Sequence, residues 1–162
     1  MIYTSGSTGT PKGVVVTQGS VVALAAWARE ILGEGHLRHV LASTSLSFDV
    51  SVLELFAPLL NGGRVEILED TLALTGAGPD GGLVSGVPSV LATVLADPAF
   101  RVRADCLIAA GEALPADLVE TAAERMPGCT VFNMYGPTET TVIATAGTAV
   151  PGEGRPSIGR PV

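Results

Sequence analysis

The chain has 162 residues, 47% hydrophobic and 15% charged, which is enough apolar material for one buried core and too much for a disordered chain. Its formal charge of −7 argues against a nucleic-acid surface. The longest apolar run, VVALAAWA at residues 21–28, is too short to cross a bilayer, and no basic stretch leads into an apolar one. No membrane partner or secretory signal is therefore expected, and a cytoplasmic location is the default.

The β-branched run at residues 14–16 predicts the first strand. A helix is expected over 20–32, with Ser20 as its N-cap and Gly33 as its stop. Residues 39–42 predict a short strand. Residues 50–60 predict a helix from the spacing of Val52, Leu55, Phe56 and Leu59, closed by Asn61-Gly62. A strand is expected at 64–68, and loop or broken helix at 71–82. Next come a strand at 83–85 and a helix at 88–95 with Pro88 in its first turn. A buried strand at 106–109, a helix at 116–125, a strand at 130–134 and a last strand at 141–146 complete the chain. Alternating strands and helices predict an α/β fold, a mostly parallel sheet flanked by helices. Cys106 and Cys129 stand far apart in sequence. They allow a disulfide, but the expectation is two free thiols in a reducing compartment.

The densest chemistry precedes the first strand. Residues 3–13, YTSGSTGTPKG, hold three glycines, five Ser and Thr hydroxyls and the only lysine of the chain. Glycine lets backbone N–H groups turn towards a ligand, hydroxyls add donors, and Lys12 adds a mobile positive charge. That combination suits a polyanion, most simply a phosphate chain. The P-loop pattern G-x-x-x-x-G-K-[ST] fails here. Counted from Gly6, Pro11 stands where it needs glycine, Gly13 where it needs Ser or Thr, and a strand follows where it needs a helix. A flexible Ser/Gly linker is the plainer alternative, and Pro11-Lys12 followed directly by strand formers weighs against it.

Three separated blocks, YTSGSTGTPKG (3–13), SFDVSVLELF (47–56) and NMYGPTETT (133–141), resemble the core motifs of adenylate-forming enzymes. The nearest likeness is to the adenylation domain of nonribosomal peptide synthetases. SIGRPV at 157–162 resembles the segment before that domain's next motif, so the likeness runs over nearly the whole chain. The resemblance implies that this is part of the large N-terminal domain of such an enzyme. The expected activity is joining a carboxylate to ATP as an acyl-adenylate, with Mg²⁺, for transfer to the phosphopantetheine thiol of a carrier domain. It also implies the carrier and condensation domains of a parent synthetase as partners. Two anions must meet at the α-phosphorus, so such a site needs positive charge and positioned donors.

By this resemblance Thr4, Ser5, Ser7 and Thr8, with the backbone at Gly6 and Gly9, would hold the phosphates, and Lys12 would lie near the departing pyrophosphate. Asn133 would bond the adenine, Tyr135 would pack on its face beside Gly136, and Gly111 and Glu112 would line the adenine pocket. Thr138 would contact the α-phosphate, and Glu139 would hold Mg²⁺. Thr4, Lys12, Thr138 and Glu139 form the implied catalytic set. Taken singly, Tyr135 could be an ordinary turn tyrosine and Glu139 a solvated loop charge.

In peptide-synthetase adenylation domains, the aspartate of the motif matched by Asp49 pairs with the substrate's α-ammonium group. A buried carboxylate without a cation is costly, so Asp49 argues for an amino acid. Asp49 could equally cap the helix that follows it, and the two roles are compatible. The family's side-chain pocket maps onto Val50, Leu53, Ser85, Ile108, Ala110, Met134, Val142 and Ile143. None is charged, which predicts an uncharged, small or aliphatic amino acid.

His36 and His39 lack the further ligands of a metal site. Trp27 reads as core, and Glu66, Glu69 and Asp70 as a solvated rim. The family's domain is about three times this length by resemblance, so the chain is expected to be truncated at both ends and inactive alone. The alternatives are an acyl-CoA or aryl-acid ligase of the same superfamily and a non-catalytic nucleotide-binding module.

Overall fold

A computed structural model describes residues 1–4, 10–75 and 80–162. Strands β1 (Ile2–Thr4) and β2 (Lys12–Val14) form an antiparallel ribbon with Thr4 opposite Lys12. The strand after the glycine segment therefore ends at Val14 and does not run over residues 14–16. Pairing with β1 decides its extent, and strand propensity at the exposed Val15 does not override that. Helix α1 (Gln18–Leu32) is capped by Thr17, whose hydroxyl oxygen accepts the Ser20 N–H at 3.1 Å. Ser20, the expected cap, sits inside the first turn. Gly33 stops α1 as expected, with φ +82°.

The chain continues through a one-turn helix α2 (Glu34–Leu37), β3 (His39–Ala42), α3 (Val50–Leu60) and β4 (Arg64–Ile67). A 3-10 turn at Thr71–Leu74 leads to β5 (Gly81–Gly86) and α4 (Pro88–Ala96). Part of the stretch read as loop or broken helix, residues 76–79, lies outside the described residues. Next come β6 (Ala104–Ala110), α5 (Ala116–Arg125), β7 (Thr130–Tyr135), a 3-10 turn at Thr138–Thr140, β8 (Thr145–Ala149) and β9 (Arg160–Pro161).

Seven strands form one sheet in the order β4-β3-β5-β6-β7-β8-β9, parallel from β4 to β7 and antiparallel from β7 to β9. Both faces are covered. Leu24, Ala28, Val50, Leu53 and Ala57 of α1 and α3 pack with Cys106, Ile108, Ala110 and Met134 of the sheet. Leu91, Val94, Leu118 and Ala122 of α4 and α5 pack with Val84, Leu107, Ala109 and Val131 on the other side. Strand β6 shows why: alternate residues face opposite ways and both sets are buried, as a parallel strand between two helical layers requires.

Two sequence expectations are refined. Helix α3 forms over Val50–Leu60 as predicted and buries Val50, Ser51, Leu53, Glu54, Ala57 and Pro58, whereas Phe56 and Leu59, two of the residues whose spacing predicts it, are exposed. The helix is apolar on most sides, so periodicity could not choose the inner face. The expected strand at 141–146 begins only at Thr145, because Thr141 and Val142 have φ of +61° and +75°. The Ile143 N–H donates to the Thr141 carbonyl at 3.0 Å, closing a tight turn about Val142.

The strand order reverses direction between β3 and β5. After β3 the chain crosses into α3 on one face, and after β5 into α4 on the other. A crevice at the carboxyl ends of two such strands is where open α/β sheets bind ligands. The loops 43–49, 111–115 and 136–144, which carry Asp49, Gly111, Thr138, Glu139 and other candidate residues, all lie at this edge.

Both histidines, Glu66 and Asp70 have structural partners. His36 Nδ1 lies 2.7 Å from the Leu32 carbonyl, and His39 Nε2 is 2.9 Å from Glu66 Oε2. Among the described residues no cluster of three potential metal ligands occurs. Glu66 is thus paired across β3 and β4, and Asp70 caps the Thr71–Leu74 turn by accepting the Ala73 N–H. Both are more than a solvated rim. The two thiols are free. Cys106 pairs in register with Thr130 and faces the α1/α3 side, so Cys129, one residue earlier, points the other way. Burial raises both thiols, Cys129 to about 11 with help from Asp105. Among the described residues no helix is long and apolar enough to cross a membrane.

Thr17→Ala is expected to destabilise the chain by about 1 kcal/mol through loss of the α1 cap. Ser20→Ala, inside the helix, should cost less. Urea denaturation of the two variants side by side checks the order.

Candidate functional site

The glycine segment is bracketed by the β1–β2 ribbon, which places Thr4 and Lys12 as paired residues at its two ends. Lys12 is exposed and Thr4 half-buried. Ser5, Gly6, Ser7, Thr8 and Gly9 lie outside the described residues.

Asp49 occupies the position before α3 but does not cap it with its side chain. Its backbone is already helical, so the carboxylate is carried away from the free N–H groups of the first turn. It is 6% exposed and its Oδ2 accepts the Thr138 hydroxyl at 2.6 Å. The helix-cap reading of Asp49 is thereby corrected. Asp49, Thr138 and Val142 share a cavity of about 120 Å³ with Met1, Ile2, Val14 and Val16, the flanks of the glycine segment. Asp49 and Thr138 thus open on a common space with residues on either side of the glycine segment.

A second cavity, of about 310 Å³, is lined by Gly111, Glu112, Asn133, Tyr135 and Gly136, together with Arg155, Pro156 and Ile158. Every residue expected around the adenine ring is here. Tyr135 is exposed at its wall. Gly111 has φ +88°, and a side chain added there would press on Val87 and Phe48. The Asn133 Nδ2 donates to the Ser157 carbonyl at 2.9 Å, tying the 157–162 segment to the cavity floor. The Glu112 carboxylate accepts both the N–H and the hydroxyl of Ser89 at 3.0 Å, so it also closes the first turn of α4. Glu139 is exposed on the 138–140 turn, next to Thr138, where its carboxylate is free to meet a hydrated cation.

The eight residues expected around a guest side chain are all buried, between 0% and 5% exposed. Seven of them, all but Ser85, belong to the single apolar cluster beneath α3. Val50 and Ala110 also reach a third cavity, of about 330 Å³, lined by Ser43, Thr44, Phe48 and Val87 at the reversal of strand order.

Sequence reasoning missed Glu54. This residue is 1% exposed, and its carboxylate stands between the ends of β3 and β5. Oε1 accepts the Ser85 hydroxyl at 2.5 Å, the Thr44 hydroxyl at 2.9 Å and the Ser43 N–H at 3.5 Å, while Oε2 accepts the Thr44 N–H at 3.1 Å. Burial pushes the carboxyl above its ordinary value, opposed by the hydrogen bonds from Ser85, Thr44 and Ser43. A signal was available: Glu54 is the one charge in an otherwise uncharged apolar helix, four residues after Val50 and one after Leu53.

The family model for AMP-binding enzymes matches residues 1–162, the entire chain. The chain belongs to the AMP-binding enzyme family. One component of the linear gramicidin synthase of Brevibacillus parabrevis is 38% identical over 165 residues, covering 100% of this chain and 3% of that protein. The dimodular nonribosomal peptide synthase of Bacillus subtilis strain 168 is 35% identical over 170 residues, covering 100% of this chain and 7% of its own length. The chain thus spans a small fraction of the curated relatives it matches. Among solved structures, the nonribosomal peptide synthetase FmoA3 in an AMPPNP-bound form superposes with a TM-score of 0.82 and 26% identity. That match covers 99% of this chain and 18% of the other. The α/β architecture of the chain is therefore that of an AMP-binding enzyme's adenylation domain.

Gly136 lies between the second cavity and the turn at residues 141–144. A Cβ there would meet the Val142 carbonyl at 2.5 Å, the Ala144 nitrogen at 2.6 Å and the Ile143 Cα at 2.7 Å, all of them backbone. Gly136→Ala is expected to lower stability by about 1–3 kcal/mol, the range for overpacking, and to weaken nucleotide binding. Thermal unfolding with and without added AMPPNP checks both.

Proposed function

We propose that this chain belongs to an adenylation domain that activates an uncharged, small or aliphatic amino acid as its aminoacyl-adenylate, within a nonribosomal peptide synthetase. The observation that carries this reading is Asp49. Among the described residues its buried carboxylate has no cation as a hydrogen-bond partner, and it opens on the same cavity as the flanks of the glycine segment. Such a group is costly to bury unless its function brings it a cation, and an α-ammonium group is the cation an amino acid offers. The buried, uncharged character of Val50, Leu53, Ser85, Ile108, Ala110, Met134, Val142 and Ile143 supports a guest side chain without charge.

Each residue has its share of the work. Asp49 holds the ammonium group, which leaves the guest's carboxylate facing Thr138 and the glycine segment. Asp49 has lone pairs for both the Thr138 hydroxyl and an ammonium group, so the existing bond can stay while the guest binds. The guest's carboxylate oxygen would bond to the α-phosphorus of ATP as the bond from that phosphorus to the β-phosphate oxygen breaks, giving a reactive mixed anhydride and releasing pyrophosphate as the leaving group. The open cavity at Asn133, Gly111 and Gly136, with Tyr135 as one wall, fits a flat adenine ring. Thr4, Lys12, Ser5, Ser7 and Thr8 balance the phosphate charge, and Glu139 holds Mg²⁺. We further propose that activity requires the flanking parts of a complete domain. The product would pass to the phosphopantetheine thiol of a carrier domain, with condensation domains as further partners.

The test is amino-acid-dependent ATP–pyrophosphate exchange by a complete adenylation domain containing this chain. Asp49→Ala should lower it about a hundredfold, the scale of losing one partner of a buried charge pair. Exchange driven by the matching acid without its amine should stay unchanged. An acyl-CoA or aryl-acid ligase would show no such split. Lys12→Ala and Glu139→Ala that leave turnover intact would instead indicate a nucleotide-binding module without catalysis.

A further inference from the structure

We propose that Glu54 is a positioning residue for the amine-binding end of the guest site, holding α3, and with it Asp49, against the ends of β3 and β5. This role rests on the reading of the guest as an amino acid.

Asp49 moves with α3. Its backbone is helical and its carbonyl accepts the Val52 N–H at 2.9 Å, so the carboxylate goes where the first turn goes. The packing of α3 on the sheet is apolar, through Val50, Leu53 and Ala57. Apolar contact is not directional and leaves a helix free to slide or roll by fractions of an ångström. Direction comes from hydrogen bonds. Among the described residues, the side-chain bonds that tie the body of α3 to the strands of the sheet and the start of the loop after β3 are those of Glu54, to Ser43, Thr44 and Ser85; the Ser51 hydroxyl donates only to the adjacent Phe48 carbonyl, at 2.7 Å. They reach two neighbouring strands on either side of the reversal in strand order.

The chemistry of Glu54 is hard to explain by stability alone. Its carboxylate is satisfied by neutral donors and, among the described residues, pairs with no Lys, Arg or His, so burial works against its charged form. An apolar residue of similar volume would complete the same helix face without that penalty. What an apolar residue cannot do is fix distance and angle. The same network occupies the Ser85 hydroxyl, the one polar side chain among the eight expected guest contacts, and turns it away from a guest towards Glu54.

The experiment is steady-state exchange kinetics on the complete domain, with L-alanine, L-valine and L-leucine as probes. Their amine-free counterparts, propanoate, 3-methylbutanoate and 4-methylpentanoate, are the controls. Glu54→Gln keeps the size but presents an amide NH₂ among donors. It is expected to raise KM for the preferred amino acid about tenfold, within the range that misplacement of a binding group produces, and to leave KM for ATP within about twofold. The preference for the amino acid over its amine-free counterpart should shrink by the same factor. Ser85→Ala removes one bond of the network without substituting any residue of α3, so it reports even if Glu54→Gln does not fold. It should change the same ratio in the same direction, by about threefold on the same scale. An unchanged preference in every variant that folds, or equal losses for amine-bearing and amine-free acids, overturns the role of Glu54 alone. Wild-type protein that treats the two acids alike overturns the amino-acid reading and this inference together.

Discussion

The hydrogen bond from Thr138 to Asp49 joins two segments 89 residues apart and decides what the carboxyl edge of the sheet can become. Asp49 arrives there from β3 by way of an exposed loop, and Thr138 from β7 on the far side of β5 and β6. Neither can be moved alone. Asp49 is held by α3, and the turn of Thr138 is held by the tight backbone that follows it. A carboxylate buried at this edge gives the cavity a negative wall, while Lys12 stands exposed on the β1–β2 ribbon.

The second constraint is backbone strain beside the site. Thr141 and Val142 adopt left-handed conformations that β-branched residues avoid, at a cost of about 1–3 kcal/mol each. The structure over-determines them. Val142 is buried, the Ala144 N–H donates to the Tyr135 carbonyl at 2.8 Å, and Gly136 leaves no room for the chain to relax inward. The result is that Val142 and Ile143 turn into the cluster under α3, while Tyr135, only a few residues earlier, lines the cavity it shares with Gly111 and Asn133. One short segment thereby borders two separate parts of the carboxyl edge.

The sheet is the reason these local devices agree. Its central parallel strands are buried on both faces, so helices cover it on either side and polar groups are driven to the strand ends. The reversal of order between β3 and β5 opens the crevice in which Glu54, Ser43 and Ser85 meet. A buried acid at that point joins the layer of α1 and α3 to the strands through directional bonds that apolar packing cannot supply.

The alternation of strand and helix, the glycine-rich segment and the three motif blocks were legible in the sequence, because each is written in local spacing or residue type. The stop at Gly33 and Pro88 in the first turn of α4 were legible for the same reason. The inner face of α3 was not, since a helix apolar on most sides has no periodicity to read. The cap at Thr17, the end of β2 and the start of β8 depended on neighbouring elements that local propensity does not see. The role of Glu54 was decided entirely by tertiary structure: its charge marked it as unusual, but only the meeting of three chain segments around its carboxylate shows what it holds. Local sequence determined which chemistry could be present. The crossing of strands determined which side chains would face one another.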